Sequence, residues 1–159
     1  MAEQLTIPAG SKAEKYASLL PQIRSVVNDE TNRIANLANV SAMLREMFGF
    51  FWVGFYLVEG DQLVLGPFQG PLACTRIRKG KGVCGAAWEK KELQWVPDVE
   101  LFPGHIACSS SSRSEVVVPL IRQGEVWGVL DVDSEHLNYF DETDTYWLRK
   151  LCEEILSTL

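Results

Sequence analysis

Two apolar, β-branched segments lie next to each other in the carboxyl-terminal half of the chain. They are SEVVVPLIR and EVWGVLDVD, and only Gln123 and Gly124 separate them. So short a connection joins antiparallel neighbours, because parallel strands need a crossover of about a dozen residues or more. A second pair, FWVGFYLVE and QLVLGPF, flanks a turn at Gly60 and Asp61. The two pairs predict an antiparallel sheet at the centre of the fold.

Helical periodicity precedes and follows the predicted sheet. Ser11 and Glu14 have capping-box spacing ahead of apolar residues at helical intervals, and Pro21 is expected to kink this helix or to begin a second piece. A second helix ends near Gly49, and a last helix begins after Asp141. The prediction is an α+β domain over 1–159 with helices packed on one face of the sheet. Its parts are a helical lead-in at 1–48, the sheet with inserted loops at 51–135 and a carboxyl-terminal helix at 141–159.

Composition and charge exclude several classes of protein. The 159 residues carry 15 basic and 21 acidic side chains, a formal charge of −6, which disfavours nucleic acid or an anionic membrane as a partner. The longest apolar stretch, from Met47 to Val58, is shorter than the ~20 residues of a transmembrane helix. The amino terminus lacks the basic and apolar regions of a secretory signal. We therefore expect a cytoplasmic location, with neither nucleic acid nor membrane as a partner.

Four cysteines stand at positions 74, 84, 108 and 152. They form no C-x-x-C pair, and Cys74, Cys84, His105 and Cys108 lack the usual spacing of zinc ligands. We therefore expect neither a metal nor another cofactor. In a reducing compartment such thiols are buried and inert, form transient disulfides, or act as nucleophiles. The spacing alone leaves these three alternatives open.

Cys108 lies in the most unusual stretch of the chain, FPGHIACSSSSRSEVVVP over residues 102–119. A cysteine on a loop of small residues is accessible to a ligand. Nearby His105 or Arg113 could lower the pKa of its thiol towards the reactive range. The alternative is a solvated serine loop that carries an incidental thiol.

Acids and aromatic residues on the predicted strands are candidates for a pocket. Asp131 and Asp133 alternate along one strand and share a face, and Glu115 opens the neighbouring strand. Acids on strands usually face solvent, but here they could form a cation site or a proton source in which one carboxylate raises the pKa of another. Trp52 and Tyr56 also share a face, either as core or as an aromatic pocket for a small cation.

Five blocks of sequence together resemble the free methionine-(R)-sulfoxide reductases, which are small single-domain enzymes with the GAF fold. The blocks are GPFQGPLACTRI, GKGVCG, VPDVELFPGHIAC, SEVVVPLI and GVLDVDS. The resemblance implies a single GAF-like domain that reduces free L-methionine-(R)-sulfoxide to L-methionine through a cysteine sulfenic acid and an intramolecular disulfide. A thioredoxin-type reductant and a homodimer are also implied. The alternative is a GAF module that senses a small ligand and performs no chemistry.

The resemblance implies different roles for the cysteines. Cys108 is the implied nucleophile, Cys74 the cysteine that resolves it as a disulfide, and Cys84 a third, auxiliary cysteine of the family. Cys152 has no counterpart of this kind. The chain departs from the family at Ser109, where relatives commonly have an acid. The loss of that charge favours thiolate formation at Cys108.

The resemblance also implies a substrate pocket. Trp52 and Tyr56 would form its walls, and Glu115, Asp131 and Asp133 would supply its carboxylates. We expect Glu115 and Asp133 to polarise or protonate the sulfoxide oxygen, and Asp131 to hold the substrate ammonium.

Overall fold

Two antiparallel hairpins lie side by side in a sheet that has six strands within the described residues. The structure is a computed structural model and describes residues 4–108 and 110–159. The strand order is β3-β2-β1-β6-β5-β4, and neighbouring strands are antiparallel. The strands are β1 Trp52–Glu59, β2 Gln62–Gln69, β3 Arg76–Arg78, β4 Gln94–Val96, β5 Ser114–Arg122 and β6 Glu125–Ser134. The helices are α1 Lys12–Asn28, α2 Arg33–Phe48, α3 Gly82–Lys90 and α4 Glu142–Glu154, with short 3-10 turns at Val99–Leu101 and Leu156–Thr158.

The turn between β5 and β6 has the backbone that a two-residue hairpin requires. Gln123 and Gly124 have φ angles of 53° and 78°, both in the left-handed region. Two left-handed residues in succession match the right-handed twist of the flanking strands. The resulting register pairs Arg122 with Glu125 at the turn. The predicted antiparallel α+β fold is confirmed.

Helices α1, α2 and α4 cover one face of the sheet. Ser11 caps α1 by accepting a hydrogen bond from the backbone N–H of Glu14 at 3.2 Å, as the capping-box spacing predicts. The buried stripe of α1 packs with α2, α4 and the inward residues of β1, β5 and β6 in one apolar core. The last helix is fixed by Asp141 and Asp144, which form a capping box.

Pro21 does not divide the first helix. Helix α1 runs through Pro21 as one element, so the expected second piece is absent from the described residues. A proline inside a helix removes one backbone hydrogen bond and costs roughly 3 kcal/mol. Buried side chains on both sides of it, among them Leu19 and Ile23, hold the helix on the core and offset this cost.

The short helix α3 covers the opposite face of the sheet. Its side chains Val83, Cys84 and Trp88 pack with Trp52 and Tyr56 in a second apolar core. One face therefore carries three long helices, as expected, and the other carries α3 with the loop segments 97–108 and 110–113. No helix of the described ranges, 4–108 and 110–159, is long and apolar enough to span a membrane.

Candidate active site

A disulfide joins the two loops that lie over the second core. Cys74, in the connection between β2 and β3, is bonded to Cys108, which lies in the loop before β5. Their Cα atoms are 5.1 Å apart across 34 positions of sequence. The pairing implied by the resemblance is therefore present in the structure. Both cysteines are only half-buried, so the bond is accessible from outside.

The strand register brings three carboxylates to one place. Glu115 of β5 pairs directly with Asp133 of β6, and Asp131 lies two residues before Asp133 on the same face. Glu115 and Asp131 are only 7% and 5% exposed. The acids therefore do not have the solvent-facing position that is usual for acids on strands.

Burial and mutual repulsion make these acids hold protons. Burial, followed by the charge of Asp133, raises the pKa of Glu115 and of Asp131 well above the ordinary range. Burial also raises the pKa of Asp133 to about 6. Desolvation disfavours a charged carboxylate, and three acids this close cannot all ionise cheaply. The cluster can therefore donate a proton near neutral pH.

Cys84 completes this cluster from α3. Its Sγ lies 3.5 Å from Oδ2 of Asp131 and 4.0 Å from Oε1 of Glu115. Burial, together with the charges of these acids, raises the pKa of the Cys84 thiol well above its ordinary range. Cys84 is therefore a protonated S–H donor to the acids in this structure, whereas a reactive cysteine needs an electropositive setting.

Two aromatic side chains of β1 connect the pocket wall to the segment that carries Cys74. Trp52 and Tyr56 stack with their ring centroids 6.0 Å apart. The indole N–H of Trp52 donates to the carbonyl oxygen of Pro71 at 3.1 Å. The hydroxyl of Tyr56 donates to the carbonyl oxygen of Cys74 at 2.9 Å. The aromatic pair is thus both buried core and pocket wall.

One cavity gathers the candidate residues. It offers about 40 Å³ to water-sized molecules, which is room for about three waters, and opens beside the 90% exposed Leu72. The disulfide form therefore leaves no room for an amino acid between these side chains. Seven of the eight residues predicted for the site line the cavity. The eighth, Cys74, is bonded to one of them, Cys108, through the disulfide. The seven are Trp52, Tyr56, Cys84, Cys108, Glu115, Asp131 and Asp133.

Three polar residues that the sequence did not place in this pocket also line the cavity. His105 and Ser112 come from the loop that carries Cys108, and their closeness to Cys108 in the chain was the available signal. Lys81 directly precedes α3, and no pattern in the sequence indicated its position at the cavity.

Ser109, the position where the chain departs from the family, lies outside the described residues. Cys152 is buried in the core on the other face of the sheet, where burial raises the pKa of its thiol.

An antiparallel sheet with this strand order, and a pocket between the sheet, α3 and overlying loops, defines a GAF domain. Residues 37–159 match the GAF domain family. The chain is 62% identical to GAF domain-containing protein A of Dictyostelium discoideum, over 95% of this chain and 96% of that protein. It is 45% identical to the free methionine-R-sulfoxide reductase of Escherichia coli, over 93% of this chain and 92% of the other.

A solved structure agrees with these relatives. The free methionine-R-sulfoxide reductase of Neisseria meningitidis, in complex with its substrate, superposes with a TM-score of 0.94 at 59% identity. That superposition covers 98% of this chain and 93% of the other. The chain belongs to the free methionine-R-sulfoxide reductase family.

Proposed function

We propose that this protein reduces free L-methionine-(R)-sulfoxide to L-methionine at the pocket closed by the Cys74–Cys108 disulfide. The observation that carries the proposal is this disulfide beside a cavity lined with buried acids. Two thiols supply the two electrons that reduction of a sulfoxide needs, and protonated carboxyl groups supply protons. The relatives from E. coli and N. meningitidis are named for the same reaction.

In the first step the reduced Cys108 attacks the sulfur of the sulfoxide. The sulfur–oxygen bond of the substrate breaks, methionine leaves, and the oxygen ends on Cys108 as a sulfenic acid. The S–S bond formed by the attack breaks again as methionine leaves, so that the substrate sulfur gains two electrons and Cys108 loses two. The thiol proton replaces the one that a carboxyl group donates to the oxygen. Cys108 suits this role because its loop borders the cavity and is half-buried rather than sealed in the core.

The carboxyl groups have two tasks in this step. Glu115, whose raised pKa keeps it protonated near neutral pH, donates to the sulfoxide oxygen as the S–O bond weakens. Asp133, with a pKa of about 6, shares this role in its protonated form. Asp131 binds the ammonium group, whose positive charge lowers the pKa of Asp131 and favours its ionised form when substrate is bound. Trp52 and Tyr56 pack against the aliphatic part of the substrate.

In the second step Cys74 resolves the sulfenic acid. The Cys74 thiol attacks Sγ of Cys108, water leaves, and the disulfide seen in the structure forms. An external dithiol then returns both cysteines to thiols and becomes a disulfide itself. Cys84 acts as an auxiliary residue here, since its S–H hydrogen bond holds the Asp131 carboxyl group in place.

The physiological reductant in this proposal is a thioredoxin-type protein. An exposed apolar residue beside each cysteine of the disulfide supports a protein dithiol: Leu72 is 90% exposed and Ile106 is 38% exposed. Apolar rims of this kind are common at contact surfaces between proteins. The proposal also includes a homodimer and a cytoplasmic location. In it, residues 1–159 form a single catalytic domain.

An anaerobic assay of methionine release tests this function. The prereduced protein is supplied with free L-methionine-(R)-sulfoxide and excess dithiothreitol, with the (S)-epimer and a peptide-bound sulfoxide as comparison substrates. We expect methionine from the free sulfoxide and not from the peptide, because the acids bind a free ammonium and the cavity excludes a peptide chain. We expect the (R)-epimer to be the one that reacts, because the relatives are named for that epimer. Absence of methionine, or equal turnover of the peptide, would refute the proposal.

A further inference from the structure

Three atoms of the kind that bind metals converge in the pocket from three different elements. They are Sγ of Cys84 on α3, a carboxylate oxygen of Glu115 on β5 and one of Asp131 on β6, all within 4.8 Å of one another. All three residues are buried. The neighbouring cavity has room for about three waters, which leaves space for a further ligand beside them.

Two buried carboxylate oxygens in the same place lack a hydrogen-bond donor. Within the described residues, neither Oδ1 of Asp131 nor Oδ1 of Asp133 has a hydrogen-bond donor apart from protons that the acids share, although Asp131 is only 5% exposed. Nor does any salt bridge of the described ranges reach these acids. A buried acceptor without a donor from elsewhere in the protein is destabilising. Oxygens left in this way can be satisfied by a cation.

The spacing of the donor atoms fits a tetrahedral ion. Zinc binds a thiolate at about 2.3 Å and a carboxylate oxygen at about 2.0–2.2 Å, so a tetrahedral angle places sulfur and oxygen about 3.5–3.7 Å apart. Sγ of Cys84 lies 3.5 Å from Asp131 and 4.0 Å from Glu115, and the three donor atoms all lie within 4.8 Å of one another. Side-chain shifts of at most about 1.5 Å bring them to tetrahedral spacing. A thiolate ligand favours Zn²⁺ over Mg²⁺ or Ca²⁺, which prefer oxygen alone.

We infer that Cys84, Glu115 and Asp131 form a Zn²⁺ site that competes with substrate. Binding replaces the thiol proton of Cys84 and any proton shared by the acids, and these protons pass to the buffer. The ion takes the carboxylate that the substrate ammonium needs, so Zn²⁺ acts as an inhibitor rather than a cofactor. This competition rests on the proposed function, whereas the binding itself does not.

Direct binding is tested on the protein in its disulfide form, where Cys84 and Cys152 are the free cysteines. The chelator-treated protein is titrated with Co²⁺, which reports a thiolate ligand by a charge-transfer band, and Zn²⁺ is then added. We expect one Co²⁺ per chain in the wild type and in Cys152→Ser, displacement by Zn²⁺, and loss of the band in Cys84→Ser. Loss of the band in Cys152→Ser but not in Cys84→Ser would overturn the site.

A second variant keeps the test valid if Cys84→Ser fails to fold. Glu115→Gln retains the thiolate and should keep the band but weaken Co²⁺ binding at least tenfold, since a neutral amide replaces a charged ligand. Unchanged affinity in Glu115→Gln, or equal displacement of Co²⁺ by Mg²⁺, would exclude this ligand set. Circular dichroism of each variant shows whether the chain is folded.

Inhibition is measured separately in a single turnover. Prereduced protein, freed of small thiols that bind zinc, receives sulfoxide with or without Zn²⁺, and methionine is counted per chain. We expect Zn²⁺ to slow methionine release, and excess sulfoxide or a chelator to restore it. An active enzyme that binds no Co²⁺ refutes the zinc site alone, whereas Co²⁺ binding by a protein that releases no methionine refutes the proposed function. Inhibition that excess sulfoxide does not relieve refutes the competition.

Discussion

Replacement of Tyr56 by phenylalanine should slow closure of the Cys74–Cys108 disulfide more than the release of methionine. The hydroxyl of Tyr56 donates to the carbonyl oxygen of Cys74 at 2.9 Å, and its ring stacks on Trp52. Tyr56→Phe keeps the ring and removes only this tether. The segment that carries Cys74 then depends on the Trp52 bond to Pro71 for its position.

The size of the effect follows from that single hydrogen bond. A neutral hydrogen bond contributes about 0.5–1.5 kcal/mol net. If the tether holds Cys74 in place in the transition state for closure, this energy appears in the barrier. At about 1.36 kcal/mol per factor of ten, closure should slow about two- to thirteenfold.

A rapid-quench experiment separates closure from methionine release. The prereduced protein receives one equivalent of sulfoxide, is quenched in acid and alkylated, and both free methionine and the disulfide peptide are measured over time. Tyr146→Phe is the matched control, because Tyr146 lies on α4 and is 57% exposed. Closure at the wild-type rate would refute the tether. If methionine release slows by the same factor, the Tyr56 hydroxyl contributes to the chemical step rather than to closure alone.

Three further predictions concern the pocket and the core. Asp131→Asn should raise KM more than it lowers kcat in steady-state kinetics, since the proposed role of Asp131 is to bind the substrate ammonium; the opposite pattern would give Asp131 a role in the chemical step. Cys74→Ser should keep the first turnover, measured as methionine per chain, but lose most thioredoxin-supported turnover; full thioredoxin-supported rates would exclude it as the resolving cysteine. Tyr16→Phe should lower the free energy of unfolding by about 1.5–3 kcal/mol in denaturant titrations, because the buried Tyr16 hydroxyl donates to the Asp144 carboxylate at 2.6 Å. A loss no larger than that of Tyr146→Phe would refute that estimate.

The helix caps and the tight turn could be predicted from the sequence, because each depends on residues close to it in the chain. The cap at Ser11, the glycine that ends α2 at Gly49, and the turn at Gln123 depend on neighbouring residues and backbone preferences. Strand β4 was missed because its three residues carry no periodicity and become a strand by pairing with β5. Tertiary contact decides short elements of this kind.

The candidate site was predictable where alternation along a strand determines it. Asp131 and Asp133 had to share a face, but their burial depended on α3 and the cysteine loop covering that face. The contact of Cys84 with Asp131 spans 47 positions, and that of Tyr56 with Cys74 joins a strand to a loop. Neither contact is encoded by spacing, because each depends on how separate elements pack.

In the proposed mechanism Cys108 takes the oxygen from the substrate, and Cys74 then forms the disulfide with it. The most direct measurement is a single turnover of prereduced protein with free L-methionine-(R)-sulfoxide and no reductant, followed by alkylation and peptide mapping. We expect one methionine per chain and a Cys74–Cys108 peptide from the wild type, and neither of them from Cys108→Ser. Methionine release by Cys108→Ser, or a Cys84–Cys108 link as the only product in the wild type, would contradict it.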